Sequence, residues 1–338
     1  MTILSVAYPL LAAGQDSAGG AEQILYLLER GLVQAGHRSI VIAAAGSQVS
    51  GELIETAGPS NEITDEQRRL AQEEHLRCIN AALSRYKIDL IHFHGLDFHT
   101  YLPLQPVLKL ATLHLSPAWY PPSIFDAPKL HLNCVSDSQA GTAPGKTKLP
   151  VVLNGIDIEK YQSATSSKNY LLWMGRICPE KGVHIALEVA HRAGLPAIAA
   201  GPVHPFRDHQ VYFSECVQPL LDDQRQYAGA VGLGRKTELL AQARCLLIPS
   251  LFAETSSLVA MEAISSGTPV IAFRSGALPE VVDHGVTGFI VDSQDEMVAA
   301  VRRIGEISPA TCRDVARRRF DSSRMVRDYL KLYESLSP

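Results

Sequence analysis

Residues 245–273 read CLLIPSLFAETSSLVAMEAISSGTPVIAF. The two ends, Cys245 to Pro249 and Pro269 to Phe273, are apolar runs of the length expected for buried parallel strands. Between them the pattern predicts a short helix. Ser256 or Ser257 can cap its start, and Gly267 followed by Pro269 ends it. The loop after the first strand carries Glu254, and Glu262 lies about two turns down the helix. Helical side chains lean toward the N-terminus, so Glu262 can reach back over the first turn. A helix start presents free N–H groups and partial positive charge, which suits a phosphate. Carboxylates on either side suit hydroxyl-rich groups, because each accepts hydrogen bonds from vicinal hydroxyls. A phosphate seat between two hydroxyl readers points to a sugar nucleotide. The bland alternative is an ordinary βαβ unit with two solvated glutamates.

The 338-residue length suggests two domains. A 46% hydrophobic and 20% charged composition is that of a soluble globular protein. The net charge of −4 argues against a nucleic-acid partner. None of the six cysteines forms a C-x-x-C pair, so neither a zinc ribbon nor a disulfide framework is indicated, and a reduced, cytoplasmic setting is expected. The start, MTILSVAYPL, lacks the basic flank of a signal peptide, and no apolar run approaches the ~20 residues that span a bilayer. Peripheral membrane contact stays open.

Outward from the opening stretch, strands and helices alternate, which implies parallel sheets covered on both faces. Strands are expected at Ile3 to Tyr8, Ser39 to Ala45, Ile88 to Phe93, about Lys109 to Leu115 and Leu130 to Val135. Helices are expected at Gly20 to Ala35 and Asp65 to Tyr86. Residues 144–168, with Asn154-Gly155 and a polar tract, read as a junction. A second series begins with a strand at Tyr170 to Met174. Helices are expected at Glu180 to Ala193, Asp208 to Leu220 and Lys236 to Ala243, and strands at Ala197 to Ala200, Gln226 to Ala230 and Thr287 to Val291. Helices near 295–306 and 309–319 and a last one from Ser322 to Leu336 complete the chain. The expected division is 1–157, 158–320 and a C-terminal helix 321–338 crossing back to the first domain. Ligands of open α/β sheets bind at the carboxyl ends of the strands, so two such domains facing each other would make a deep cleft.

A dinucleotide-dependent oxidoreductase needs G-x-G-x-x-G after strand one and an acid near the end of strand two. Gly14, Gly19 and Gly20 have the wrong spacing, and strand two ends in Ala43-Ala44-Ala45. No P-loop is present. A zinc hydrolase could use histidines, since His92 and His94 share one face of a strand and His99, His114 and His131 follow. No H-E-x-x-H or clustered carboxylate set accompanies them. His92 reads as a packed core histidine, and no metal site is assigned. The stretch GRICPEKG at 175–182 is more telling. It follows a strand and precedes a helix, and it brings Arg176 and Lys181 to the carboxyl end of the second sheet. Cations are disfavoured at a helix start unless an anion sits there.

Read together, these pieces resemble glycosyltransferase family 4, a family of retaining enzymes with the GT-B fold. The matching residues run along most of the chain: Gly19-Gly20-Ala21-Glu22, Gly36-His37, Asp89-Leu90-Ile91-His92-Phe93-His94, Thr112-Leu113-His114, Asn154-Gly155-Ile156-Asp157, Gly175 to Gly182, Glu254 with Glu262, and Gly267 to Val282. The resemblance implies an α/β chain of two Rossmann-like domains, the first for the acceptor and the second for a nucleoside-diphosphate-sugar donor, with UDP or GDP as its nucleotide. It implies that Arg176 and Lys181 clamp the diphosphate and that Glu262 holds the ribose. Glu254 would contact the sugar, and the backbone at Ser256, Ser257 and Leu258 would seat a phosphate. His114 would sit beside the anomeric carbon, and Gly19 and Gly20 would let the first loop approach the phosphates. No cofactor or metal is implied, and the acceptor is a glycan, lipid or small molecule. Thr255-Ser256-Ser257 departs from the Gly-Phe-Gly run of many members, which bears on the donor sugar, and Gly276 stands where members often have two glycines. An epimerase of the same fold and a non-catalytic sugar-nucleotide-binding protein are the alternatives.

Overall fold

The computed structural model describes residues 1–17, 19–58, 64–145, 148–161 and 169–336. Part of the expected junction, the tract from Gln162 to Lys168, falls outside these residues. Two compact units emerge, Met1–Gly155 with Ser322–Pro338, and Ile156–Asp321.

The first unit runs β1 (Thr2–Val6), α1 (Gly20–Gln34), β2 (Arg38–Ala44), β3 (Glu52–Thr56), α2 (Asp65–Arg85), β4 (Leu90–Phe93), β5 (Leu108–Leu113), β6 (Leu130–Cys134) and the short α3 (Asp137–Ala140). The sheet is parallel, in the order β3-β2-β1-β4-β5-β6. Alternation along β2 covers both faces. Ile40 and Ile42 join the core that includes Ile79 of α2, and Val41 and Ala43 pack with Leu25 of α1. The edge strand β3 is missing from the sequence reading, so the run at Ile88 to Phe93 forms the fourth strand and not the third. In ELIET only the last residue is buried, so no apolar run or clean alternation marks it. Thr64 and Gln67 form a capping box at the start of α2. The terminal helix, Ser322–Leu336, buries Tyr329 and Tyr333 completely. Val326 lies where a Cβ on Gly31 of α1 would come within 2.3 Å of it, so glycine lets the two helices approach.

The second unit runs β7 (Leu171–Met174), α4 (Val183–Ala193), β8 (Ala197–Ala200), α5 (Arg207–Tyr212), β9 (Arg225–Tyr227), α6 (Leu233–Gln242), β10 (Cys245–Ile248), α7 (Leu258–Ser265), β11 (Val270–Phe273), α8 (Leu278–Val281), β12 (Gly288–Val291), α9 (Gln294–Arg303) and α10 (Pro309–Arg319). Its sheet, β12-β11-β10-β7-β8-β9, is again parallel. Counted within each unit, both sheets have the doubly wound order 3-2-1-4-5-6, which reverses direction between β1 and β4 and between β7 and β10.

Two expected helices differ. The one from Glu180 is a 3-10 turn, Pro179–Lys181, followed by Gly182 at φ 65° and only then by α4. The one from Asp208 to Leu220 stops at Tyr212 and continues as a π turn, Phe213–Val217, and a 3-10 turn, Gln218–Leu220, where Pro219 cannot supply a helical N–H. α7 ends as expected. Gly267, at φ 82°, donates to Ile264 O at 3.0 Å, and Thr268 donates to Ala263 O at 2.8 Å. Among the described residues no helix is long and apolar enough to cross a membrane, and all six cysteines are free.

Candidate functional site

The switch point of the second sheet gathers the strongest candidates. The loops after β7 and β10 leave the sheet side by side at its carboxyl edge. A Cβ on Gly182 would lie 2.2 Å from Pro249 O, and Leu251 N–H donates to Glu180 O at 2.8 Å. Glycine at 182 thus serves both the left-handed turn and the close approach of the two loops. Trp173 Nε1–H, from β7, donates to Lys181 O at 3.2 Å and fixes the turn from below.

Lys181 Nζ then reaches Glu254 Oε1 at 2.7 Å and lies 4.6 Å from the centre of the Phe252 ring. Ser250 Oγ donates to the same carboxylate oxygen at 2.6 Å. The Glu254 side chain is buried and that of Lys181 is partly exposed. The expected phosphate cation and sugar carboxylate are therefore one ion pair, made by residues 73 apart in sequence. Lysine carries three N–H donors and spends one here, which leaves two for another oxygen ligand. Arg176, on the same loop, is exposed. Gly276, at φ 54°, packs on Glu254 from the other side. A Cβ there would come within 2.2 Å of Glu254 O and 2.5 Å of Glu254 N, and Ala277 N–H donates to Glu254 O at 2.7 Å.

Ser257 holds the N-cap position of α7 but makes no side-chain cap, which corrects the expected serine cap. Ser256 Oγ is shielded from solvent and has no hydrogen-bond partner among the described residues. Leu258 opens the helix. Glu262, one turn on, is buried, and its Oε1 accepts from Tyr161 OH at 2.8 Å and from Lys236 Nζ of α6. Sequence reasoning singled out neither Tyr161, Lys236 nor Ser250. They are ordinary polar residues in ordinary contexts, and only the fold brings them to the two glutamates.

In the first unit, His114 follows β5 and His94 follows β4, and their rings meet at His94 Nδ1 and His114 Nε2, 3.2 Å apart. Burial lowers the His114 pKa to about 4 and that of His94 well below the usual imidazole value. Both rings are neutral near pH 7, so one gives an N–H and the other a lone pair. His92 is a packed core histidine: Tyr333 OH sits 2.7 Å from Nδ1 and Thr112 Oγ1 2.8 Å from Nε2. The histidines of this unit make no three-ligand metal group among the described residues. Gly19 is the N-cap of α1 and Gly20 its first residue. A Cβ on Gly19 would collide with the Glu22 carboxylate, which folds back over the helix start. Burial raises the Glu22 pKa.

Two family models match the chain, Glycosyl transferases group 1 over residues 156–318 and Glycosyltransferase Family 4 over residues 18–130. The glycogen synthase of Mycobacterium tuberculosis (strain ATCC 25618 / H37Rv) is 32% identical over 176 residues, 48% of this chain and 41% of that one. The D-inositol 3-phosphate glycosyltransferase of Corynebacterium efficiens is 33% identical over 137 residues, 36% of this chain and 31% of that one. The chain thus spans less than half the length of these two relatives. Solved structures extend the likeness to 99% of the chain. AviGT4, a glycosyltransferase involved in avilamycin A biosynthesis, superposes with a TM-score of 0.77 at 23% identity over 98% of its own chain. Sucrose-phosphate synthase from Thermosynechococcus elongatus gives 0.81 at 19% over 99%, and Anabaena HepE in complex with UDP and glucose gives 0.76 at 18% over 100%. At these identities the likeness is one of fold, the GT-B fold. With a family model on each half, in chain order and on the motifs that resemble it, the chain belongs to glycosyltransferase family 4 of the group 1 glycosyltransferases.

Proposed function

We propose that the protein is a retaining, metal-independent glycosyltransferase that moves a hexose-type sugar from a nucleoside-diphosphate-sugar, with UDP or GDP as its nucleotide, to an acceptor hydroxyl in the cytoplasm. The observation that carries the reading is the Lys181–Glu254–Ser250 cluster at the β7/β10 switch point, beside exposed Arg176 and the uncapped start of α7. Support also comes from HepE, solved with UDP and glucose and with UDP-glucose. The D-inositol 3-phosphate glycosyltransferases are named for a small polyol acceptor.

In this reading Arg176 grips the diphosphate with its planar fork, and Lys181 adds a point charge while keeping Glu254 in place. Glu254 then accepts from a sugar hydroxyl, and Ser256 Oγ supplies a further polar contact where many members have bare backbone. Glu262 takes the ribose hydroxyls, and the start of α7 seats a phosphate. The bond from the anomeric carbon to the phosphate oxygen breaks, and the negative charge left on the diphosphate is met by Arg176 and Lys181. The acceptor oxygen bonds to the anomeric carbon on the same face, and its proton passes to a phosphate oxygen of the leaving diphosphate. No enzyme nucleophile is needed. Burial keeps His114 neutral, so a hydrogen bond from it to a sugar hydroxyl would be an uncharged one.

Calorimetry with UDP, GDP, ADP and dTDP in a chelator tests the binding step, and turnover with a panel of sugar donors tests transfer. Binding of one nucleoside diphosphate without added metal, and release of that nucleotide from its sugar donor, are expected. Binding that appears only on adding magnesium or manganese would end the metal-independent reading. Binding without transfer or hydrolysis of any donor would end the enzymatic one.

A further inference from the structure

Three side chains that the donor reading leaves unused converge beneath the β7 loop. Cys178 is fully buried at the start of the Pro179–Lys181 turn, Glu180 lies within that turn, and His209 is on α5. Each offers one ligand atom, and the three atoms lie within 4.8 Å of one another. The Cys178 thiol is aimed at Arg176 O, 3.5 Å away. His209 Nδ1 is shielded from solvent and has no hydrogen-bond partner among the described residues. An unpaired buried ring nitrogen is destabilising, and a metal ion held with the neighbouring thiol and carboxylate would satisfy it.

We propose that Cys178, Glu180 and His209 form a zinc site that staples the loop carrying Arg176 and Lys181 to α5. A thiolate, an imidazole and a carboxylate are a zinc ligand set, whereas magnesium and calcium take oxygen ligands throughout. Bond lengths of about 2.0–2.3 Å at tetrahedral angles place ligand atoms about 3.3–3.8 Å apart. With ligand atoms up to 4.8 Å apart, the trio must therefore close by up to about 1.5 Å. Glu180 and His209 are half-buried, on a turn and on a six-residue helix, and side-chain rotation supplies that movement. On ligation the thiol gives its proton to solvent, and the two anionic ligands balance the charge of the ion. Three protein ligands leave a fourth position for water. The backbone of the same turn already accepts from Leu251 of the β10 loop, so an ion here fixes the turn from its other side. It takes no part in glycosyl transfer.

The site stands on geometry alone and is tested without nucleotide. The probe is cobalt(II), titrated into the metal-stripped full chain in a Cys216→Ser background, because Cys216 is an exposed thiol that could bind metal on its own. One equivalent should give thiolate-to-cobalt charge transfer in the near ultraviolet and tetrahedral bands in the visible, and zinc should displace it. Cys178→Ser should abolish the charge-transfer band. His209→Gln should weaken zinc, measured against a chromophoric chelator, by at least roughly 100-fold, the upper end of what losing even an outer-shell partner costs. Circular dichroism confirms that the variants fold. Should Cys178→Ser not fold, His209→Gln, on a short surface helix, carries the test. Absence of a stoichiometric thiolate band, or zinc affinity unchanged in His209→Gln, would overturn the proposal.

Discussion

Replacing Glu262 with alanine should destabilise the second unit as well as weaken nucleotide binding. The Glu262 side chain is 2% exposed and is held by Lys236, whose side chain is 19% exposed, and by Tyr161 OH at 2.8 Å. Removing one partner of a buried pair costs about 3–5 kcal/mol because the other charge is left uncompensated. The partial exposure of Lys236 lets water reach the ammonium, which argues for the low end. The lost hydrogen bond from Tyr161 and one lost methylene push the other way. The expected loss is about 3–4 kcal/mol. For a unit of this size each kcal/mol lowers Tm by about 2–4 °C, so the transition should fall by roughly 6–16 °C. The two tryptophans allow a clean readout. Trp173 is 4% exposed in β7, and Trp119 is 77% exposed in the first unit, so in a Trp119→Phe background fluorescence reports the second unit alone during urea unfolding. Glu262→Gln keeps the volume and an acceptor for Tyr161, and should lose about 2 kcal/mol. Combined with Lys236→Met it should recover at least about 1 kcal/mol of the summed single losses. A loss under about 1 kcal/mol for Glu262→Ala, or strict additivity in the cycle, would refute the buried-pair argument.

Arg176→Ala should leave stability unchanged, because the side chain is exposed, yet lower turnover roughly 10²–10³-fold. Lys181→Ala should do both, since it also strands the buried Glu254 carboxylate, and equal melting temperatures for the two variants would contradict the pairing. Gly276→Ala forces a Cβ into the Glu254 backbone and should weaken sugar donors more than bare nucleotide, as calorimetry with the two ligands will show. In the first unit burial holds His75 and His114 at about 4 and His92 at about 3, against about 6.5 when unfolded. The unfolded chain therefore binds more protons below pH 6.5. Stability is fully present above that value and is lost as pH falls toward 4, by up to about 1.4 kcal/mol per histidine per pH unit. Urea midpoints that do not change between pH 7 and pH 5 would count against it.

The fold was legible where burial is continuous. β10, β11 and α7 are apolar runs with a glycine-proline stop, and both the strand pair and the helix end lie within a residue or two of their expected places. β3 was not legible, because an edge strand is paired on one side and half-wet, and its five residues include the charged Glu52 and Glu55. The break after Tyr212 was also missed, since the residues before Pro219 follow a helical pattern until the backbone runs out of donors. For the site, residue types and strand ends could be read, and partners could not. Arg235 and Lys236 are neighbours on α6 and look alike in sequence. Arg235 reaches Glu238 at 2.6 Å, with half of its side chain in solvent, a pair worth at most about 1 kcal/mol. Lys236 points the other way, toward α7, and meets a carboxylate from which water is excluded. A helix turns about 100° per residue, so one step in sequence decides between a solvated charge and the buried partner of a site glutamate. That step depends on how α6 is rotated against α7, which the long-range packing of Leu239 and Leu240 into the core fixes, and which no local motif records.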